Sequence, residues 1–415
     1  MITLSENTKK ILFGVFFVAF TVATGYALYY FFFRTETPAP TETVTPQGYE
    51  GELGTSGPRT PTEGETVTET GTLPEAGVVP TGEATAEGTT GGGTVNLLRD
   101  AVTQAVSRSP SGDMRFYDPD TGRFYRMSPT GGTTQLSDKQ FYNLQNITWG
   151  KSGDQAILEF PDNSKVYYDF EADRQYSLPS HWQDFDFSPN DDTVVAKSLG
   201  LDQNNRFLIT SNADGNESTA LYHLGDNEAL VTPSWSPNNQ VIGFSQTGTP
   251  QPDGAEQILL LGKNHENFKA LIVAGHGFQP NWSPTGKSLL YSVYHERDEN
   301  KPMLWISDAM GNDIGRNRKK LNLNTWADKC AWKDENNLYC AVPMDLPAGS
   351  GFNESSFTTV PDDIYRIDLK TGVAKKISDS TQNLPVINPT FNKDKTQLVF
   401  TDGSTGKLYS YKLKD

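Results

Sequence analysis

The chain has 415 residues, a formal net charge of −16 and 35% hydrophobic residues. The length leaves room for two or three domains and a sizeable core. The acidic balance excludes non-specific nucleic-acid binding, which needs a basic footprint, and the low apolar share indicates that part of the chain does not fold.

Residues 1–10 are a short segment ending in Lys9 and Lys10. Residues 11–33, ILFGVFFVAFTVATGYALYYFFF, run for 23 residues without a charge, enough to cross a bilayer core as a helix. The run is too long for the apolar region of a cleaved signal peptide and no A-x-A site follows it, so a retained anchor is expected. Two lysines before the span, and Arg34 then a Glu-rich stretch after it, predict a single-pass protein. Its N-terminus is expected to be cytoplasmic and the remainder extracytoplasmic. Tyr26, Tyr29 and Tyr30 fall where amphipathic rings favour the membrane interface.

Residues 34–94 are dominated by Thr, Glu, Gly and Pro, with ten Glu against two Arg, and have no hydrophobic period. Such a segment cannot offset chain entropy and is expected to be a disordered linker. Random-coil scaling gives it a reach of roughly 40–50 Å.

From residue 95 the chain repeats itself. Aligned on an aromatic position, the copies are RSPSGDMRFYD (108–118), WGKSGDQAILEF (149–160), FSPNDDTVVAKS (187–198) and WSPNNQVIGFS (235–245). WSPTGKSLLYS (282–292), WKDENNLYCA (332–341) and FNKDKTQLVFT (391–401) complete the set, with starts 41, 38, 48, 47, 50 and 59 residues apart. Each copy is a polar turn between two strand-like runs, and each is followed by a further strand-like run, most with a small polar turn and one more short strand after it, as in DIYRIDLKTGVAKKISD. Four short strands per period of about 40–50 residues is the arithmetic of a β-propeller blade. The fold class predicted is therefore all-β, a seven-bladed propeller over 95–415. Six blades is the alternative, because Arg108 replaces the aromatic in the first copy. The last copy ends with three strands, and VNLLRD (95–100) resembles a fourth strand, so it is expected to close the ring.

The W-S-P-x-G-x-x-[LIV]-x-[FY] pattern resembles the WD40-like (PD40) repeat of TolB-type propellers. The whole layout resembles that of single-span, membrane-anchored bacterial surface propellers. The resemblance covers about residues 95–415, and WKDENNLYC and FNKDKTQLVF depart from the pattern. It implies a binding module of the cell envelope, although fold alone does not carry function.

Cys330 and Cys340 flank one hairpin turn, whose register would set them opposite each other. A disulfide suits an exported domain; two small buried thiols are the alternative. No cofactor or metal is expected. Two cysteines fall short of a zinc site. TGKS (285–288) lacks the first glycine of a phosphate loop, position 281 being Asn. DPDTG (118–122) and NADGN (212–216) read as hairpin turns rather than calcium loops. No nucleophile elbow is present, and no hydrolase domain is expected after the propeller.

The long second-to-third and fourth-to-first loops should share one face, where function usually resides. His181, Trp182, His276, His295, Arg297, Trp326, Asp328 and Lys329 fall there and are the candidate binding residues, with the tryptophans expected to be exposed. No catalytic residue is assigned. Two functions stay open. One is a tethered module binding an envelope protein, a peptide or a surface polymer. The other is an extracytoplasmic hydrolase or lyase acting on glycans or peptides, which a tight carboxylate or histidine cluster at the channel mouth would favour.

Overall fold

The computed structural model describes residues 77–78, 93–129, 131–378 and 383–414. The span predicted over 11–33 lies outside them; among the described residues no helix is long and apolar enough to cross a membrane.

Seven blades, each of four antiparallel strands, follow one another in the order of the sequence repeats, and the sheet of blade 5 has a fifth strand. The inner strands of blades 1 to 7 are Gln104–Arg108, Asn146–Trp149, Trp182–Phe187, Val231–Pro233, His276–Trp282, Cys330–Trp332 and Val386–Phe391. Arg108 notwithstanding, the first copy forms a full blade. Ring closure is as the sequence predicts: Thr94–Val102 pairs antiparallel with Lys407–Lys412 and supplies the outer strand of blade 7. Gly77–Val78, inside the segment read as structureless, pairs in parallel with Lys319–Lys320 at the outer edge of blade 5.

The core lies between blades rather than within them. Seven clusters of buried apolar residues each draw on two adjacent sheets. The repeated aromatic belongs to these seams. Trp282 of blade 5 stacks on Phe244 of blade 4 at 5.3 Å, and Trp149 of blade 2 meets Phe124 of blade 1 edge-on at 5.4 Å. The seam between blades 7 and 1 is filled by Leu98, Val106, Met114, Phe116 and Leu408 instead.

The Ser-Pro turn has a backbone reason. In four copies its fourth residue has positive φ: Gly112 (92°), Asp191 (62°), Asn239 (62°) and Gly286 (71°). Only Gly, Asn and Asp adopt that region at low cost. The turn serine locks the return strand: Ser188, Ser236 and Ser283 Oγ accept from Thr193, Val241 and Ser288 N–H at 3.2, 2.9 and 3.1 Å. TGKS is part of such a turn, not a phosphate cradle. The two stretches set aside as calcium loops behave alike. Asp118 Oδ1 accepts from Asp120 and Thr121 N–H, and Asp214 Oδ1 from Asn216 N–H, so these carboxylates serve their own turns.

Blades 1, 3, 5 and 7 carry a bulge near the start of the inner strand, with register shifts at Gln104/Ser107, Gln183/Asp186, His276/Gln279 and Ile387/Thr390. A left-handed residue sits inside each: Ala105, Asp184, Gly277 and Asn388. Bulges re-aim side chains, and these four lie where the inner strands reach the long-loop face.

Cys330 and Cys340 are paired across adjacent strands, with Ala331 opposite Tyr339 and Trp332 opposite Leu338, and they form a disulfide. The bridge closes a loop of about ten residues, for which chain-entropy arguments give about 2–3 kcal/mol. Replacing both cysteines by alanine is expected to lower the urea midpoint accordingly, and dithiothreitol should lower that of the native chain but not of the variant.

Candidate functional site

The channel between the inner strands is a polar cavity of about 850 Å³. Gln104, Gln145, Asn146, Asn281 and Asn388 are among its lining residues, with Arg108 and Lys395 towards the Ser-Pro turns. On the long-loop face it adjoins a second cavity of about 520 Å³, the two sharing Asp328 and Asn388. Trp326, Phe352 and Phe357 provide the apolar lining of this cleft, and Asp328 and Glu354 provide its carboxyls.

Two loops build the cleft. The turn Ala327–Lys329, between blades 5 and 6, carries Asp328. The loop between Asn337–Pro343 and Asp362–Asp368 of blade 6 carries Phe352, Glu354 and Phe357. That loop rests on the preceding blade: Gly349 and Gly351 N–H donate to the Glu299 and Asn300 carbonyls, each at 2.8 Å. A Cβ on Gly351 would lie 2.4 Å from the Tyr294 side chain and 2.7 Å from the Asn300 oxygen, so this approach needs glycine. Phe352 then meets Tyr294 edge-on at 4.9 Å while remaining 63% exposed. Phe357 stacks over Trp326 at 5.9 Å.

A hydrogen-bond relay sets the Glu354 carboxyl. Ala327 N–H donates to Ser292 Oγ, and Ser292 Oγ–H donates to Gln279 Oε1, both at 3.2 Å. The Gln279 amide is thereby turned so that Nε2 donates to Glu354 Oε2 at 2.5 Å. On its other side Glu354 hydrogen-bonds Asp328. Burial, then the Asp328 charge, push the Glu354 carboxyl up to about 7, so near neutral pH Glu354 holds its proton in about half of the molecules.

This shift has a consequence for stability. A carboxyl raised from 4.5 to about 7 on folding favours the folded state below 4.5, and that contribution is lost as pH rises through about 7. Glu354→Gln should remove it. The stability gap between native and variant is expected to shift against the native chain between pH 5 and pH 8, read from urea midpoints at the two values.

Beneath the cleft, Lys329 Nζ contacts Asp362 Oδ2 at 2.8 Å, and the same oxygen accepts from Val386 N–H at 2.7 Å. Burial pushes the Asp362 carboxyl up to about 6 against the pull of Lys329.

The eight residues singled out from sequence divide into three groups. Trp326, Asp328 and Lys329 converge on the cleft, but only Asp328 is exposed. Trp326 and Lys329 are each 4% exposed, one covered by Phe357 and the other consumed by Asp362, which corrects the expectation of an exposed recognition pair. His276, His295 and Arg297 gather beside the loop of blade 4. His276 Nδ1 pairs with Glu256 at 2.6 Å, His295 Nε2 lies 2.7 Å from the Asp253 carbonyl, and Arg297 lies 3.5 Å from the Asp253 carboxylate. His276 also borders Tyr294, which joins this group to Phe352. His181 and Trp182 stand apart on blade 3. Trp182 is buried in the seam between blades 2 and 3, a second correction, and His181 is exposed. Among the described residues no three His, Cys, Asp or Glu side chains come close enough to hold a metal. Gln279, Phe352, Glu354 and Phe357 were missed. The available signal was FNESSF, two aromatics bracketing a glutamate within a polar loop.

No protein-family model and no curated protein matches the sequence. Solved structures resemble it in fold. An oligogalacturonate lyase in complex with manganese has TM-score 0.54 at 14% identity, covering 79% of this chain and 94% of that one. The Cps50 (Swd1) β-propeller domain of Myceliophteria thermophila has TM-score 0.51 at 10% identity, covering 77% and 100%. The tricorn protease has TM-score 0.50 at 11% identity, covering 78% of this chain but 34% of that protein. The chain is thus a seven-bladed β-propeller protein. At such identities the likeness extends to architecture and not to activity.

Proposed function

We propose that this protein is a membrane-tethered binding module of the cell envelope, of the TolB-like type that its W-S-P-x-G turns resemble. Its span and linker would let an extracytoplasmic propeller search for partners near the membrane at high effective concentration. The observation that carries the reading is the cleft itself: aromatic rings and a carboxyl pair, set on a rigid scaffold by two loops at the channel mouth. Aromatic rings in a concave site are the usual energetic anchors of recognition, and Phe352 is the exposed one here. The test is proximity crosslinking in intact cells with the native chain and a Phe352→Ala/Phe357→Ala variant. A partner captured by the first and lost by the second supports the reading; equal capture removes the cleft from it.

A hydrolase is the second reading, and the Asp328–Glu354 pair is what favours it, since a carboxyl near neutral pKa suits general acid–base work. Two carboxyls in hydrogen-bond contact are closer than the ~5 Å or more used for glycoside hydrolysis. Turnover of glycans or peptides that is abolished by Glu354→Gln would bring this reading forward.

A further inference from the structure

The cleft holds more negative charge than its surroundings answer. Lys329 adjoins Asp328 in sequence, but its ammonium is turned away and bound to Asp362. Gln279, the other group on Glu354, is neutral. The polar side chains of the rim are satisfied within their own loop. Asn353 Nδ2 donates to Ser356 Oγ at 2.9 Å, Ser355 Oγ to Asn353 Oδ1 at 2.7 Å, and Thr358 Oγ1 to the Ser355 carbonyl at 3.2 Å. Asn388, the amide the cleft shares with the channel, is neutral, so Asp328 and Glu354 are the cleft's acidic acceptors, beside the exposed Phe352 ring. Ammonium and guanidinium groups combine both preferences, being attracted to carboxylates and to aromatic rings. A sugar would ask for several free donors and acceptors instead.

Resting on the binding reading above, we infer that the cleft takes a lysine or arginine side chain presented by a partner polypeptide, held by the Asp328–Glu354 carboxyls beside Trp326, Phe352 and Phe357. Its arrival expels the proton held at Glu354: a protonated Glu354 and a cationic side chain give a Glu354 carboxylate paired with that cation, with the proton released to solvent. Asp328 and Lys329 are the charged groups facing Glu354, with Asp362 behind Lys329. Because the carboxyl titrates at about 7, one proton per site should be released near pH 6 and almost none near pH 8. Affinity should rise by up to roughly tenfold per pH unit below 7 and level off above 8.

The test is titration calorimetry of the full chain in detergent with a lysine-rich heptapeptide and its Nε-acetylated counterpart. Runs at pH 6 and pH 8, in two buffers of different protonation enthalpy, count the protons. The lysine peptide should bind and the acetylated one should not. Glu354→Gln should weaken binding roughly tenfold and Phe352→Ala roughly fivefold. Glu171→Gln, an exposed acid on blade 2, should change nothing, which separates the site from general attraction to an acidic protein. Equal binding of both peptides, no binding of either, or indifference to Glu354→Gln would overturn the inference. Chitohexaose binding that is lost in Phe352→Ala would overturn it while leaving the binding module standing. Unaltered partner capture by Phe352→Ala/Phe357→Ala would bring down the underlying reading as well.

Discussion

Deleting residues 94–102 from the full chain is expected to abolish the cooperative fold, or to lower its unfolding temperature by on the order of 10 °C or more. Four kinds of interaction leave with this strand. It loses a six-pair ladder with Lys407–Lys412. Leu98 leaves the core between blades 7 and 1, and Val95 leaves the seam between blades 6 and 7. The Arg99 ion pair with Asp118 goes, together with the stacking of its guanidinium over Phe116 and Tyr125 at 5.0 and 5.5 Å. At about 1 kcal/mol per ladder bond, with apolar burial added, the loss is on the order of 5 kcal/mol or more. Lys407–Lys412 would also become an unpaired edge, so aggregation should accompany unfolding. Differential scanning fluorimetry with light scattering reads both, and an unchanged transition would mean that the ring closes by other means.

Lys329→Met should be the most damaging single substitution near the cleft. Asp362 has no exposed side-chain surface, and losing the Lys329 ammonium leaves its charge buried with Val386 N–H as a partner. Stranding one member of a buried ion pair costs about 3–5 kcal/mol. The charge need not be kept for stability, because a neutral replacement of both members avoids the desolvation penalty. Asp362→Asn retains an acceptor for Val386 N–H. The Lys329→Met/Asp362→Asn double variant is therefore expected to regain most of the loss. Urea unfolding of the two single variants and the double variant measures the recovery, and additive losses would show that the two side chains act independently.

Some of this architecture was readable before any coordinates. The Ser-Pro turns and the opposition of Cys330 to Cys340 follow from short-range rules, and the closing strand around VNLLRD follows from the repeat, whose last copy lacks a fourth strand of its own. Positive φ at the fourth turn residue restricts that position to a few residue types. Alternation along a strand fixes which neighbours can oppose each other. Exposure was a different matter. Trp182 and Trp326 sit at loop ends, where aromatics look available, yet each is covered by a neighbour distant in sequence: the blade 2 sheet in one case, Phe357 in the other. Lys329 looked like a surface cation until Asp362 met it in the interior.

The amino-acid sequence by itself determined a ring of blades and the face on which the long loops lie, because hairpin pairing and turn dihedrals depend on residues close in the chain; its closure, a ladder between the two ends of the propeller, was legible because the last copy lacks the fourth strand that the repeat supplies elsewhere. Only the tertiary structure decided which loop residues form a site. Asp328 and Glu354 come from separate loops, and Gln279 reaches Glu354 from the adjacent blade. Their contact depends on how the loop of blade 6 lies over blade 5, a placement that Gly351, Tyr294 and Asn300 set by close packing. A carboxyl whose titration a second carboxyl shifts must lie close to it, and distances across blades are set by packing rather than by any sequence period.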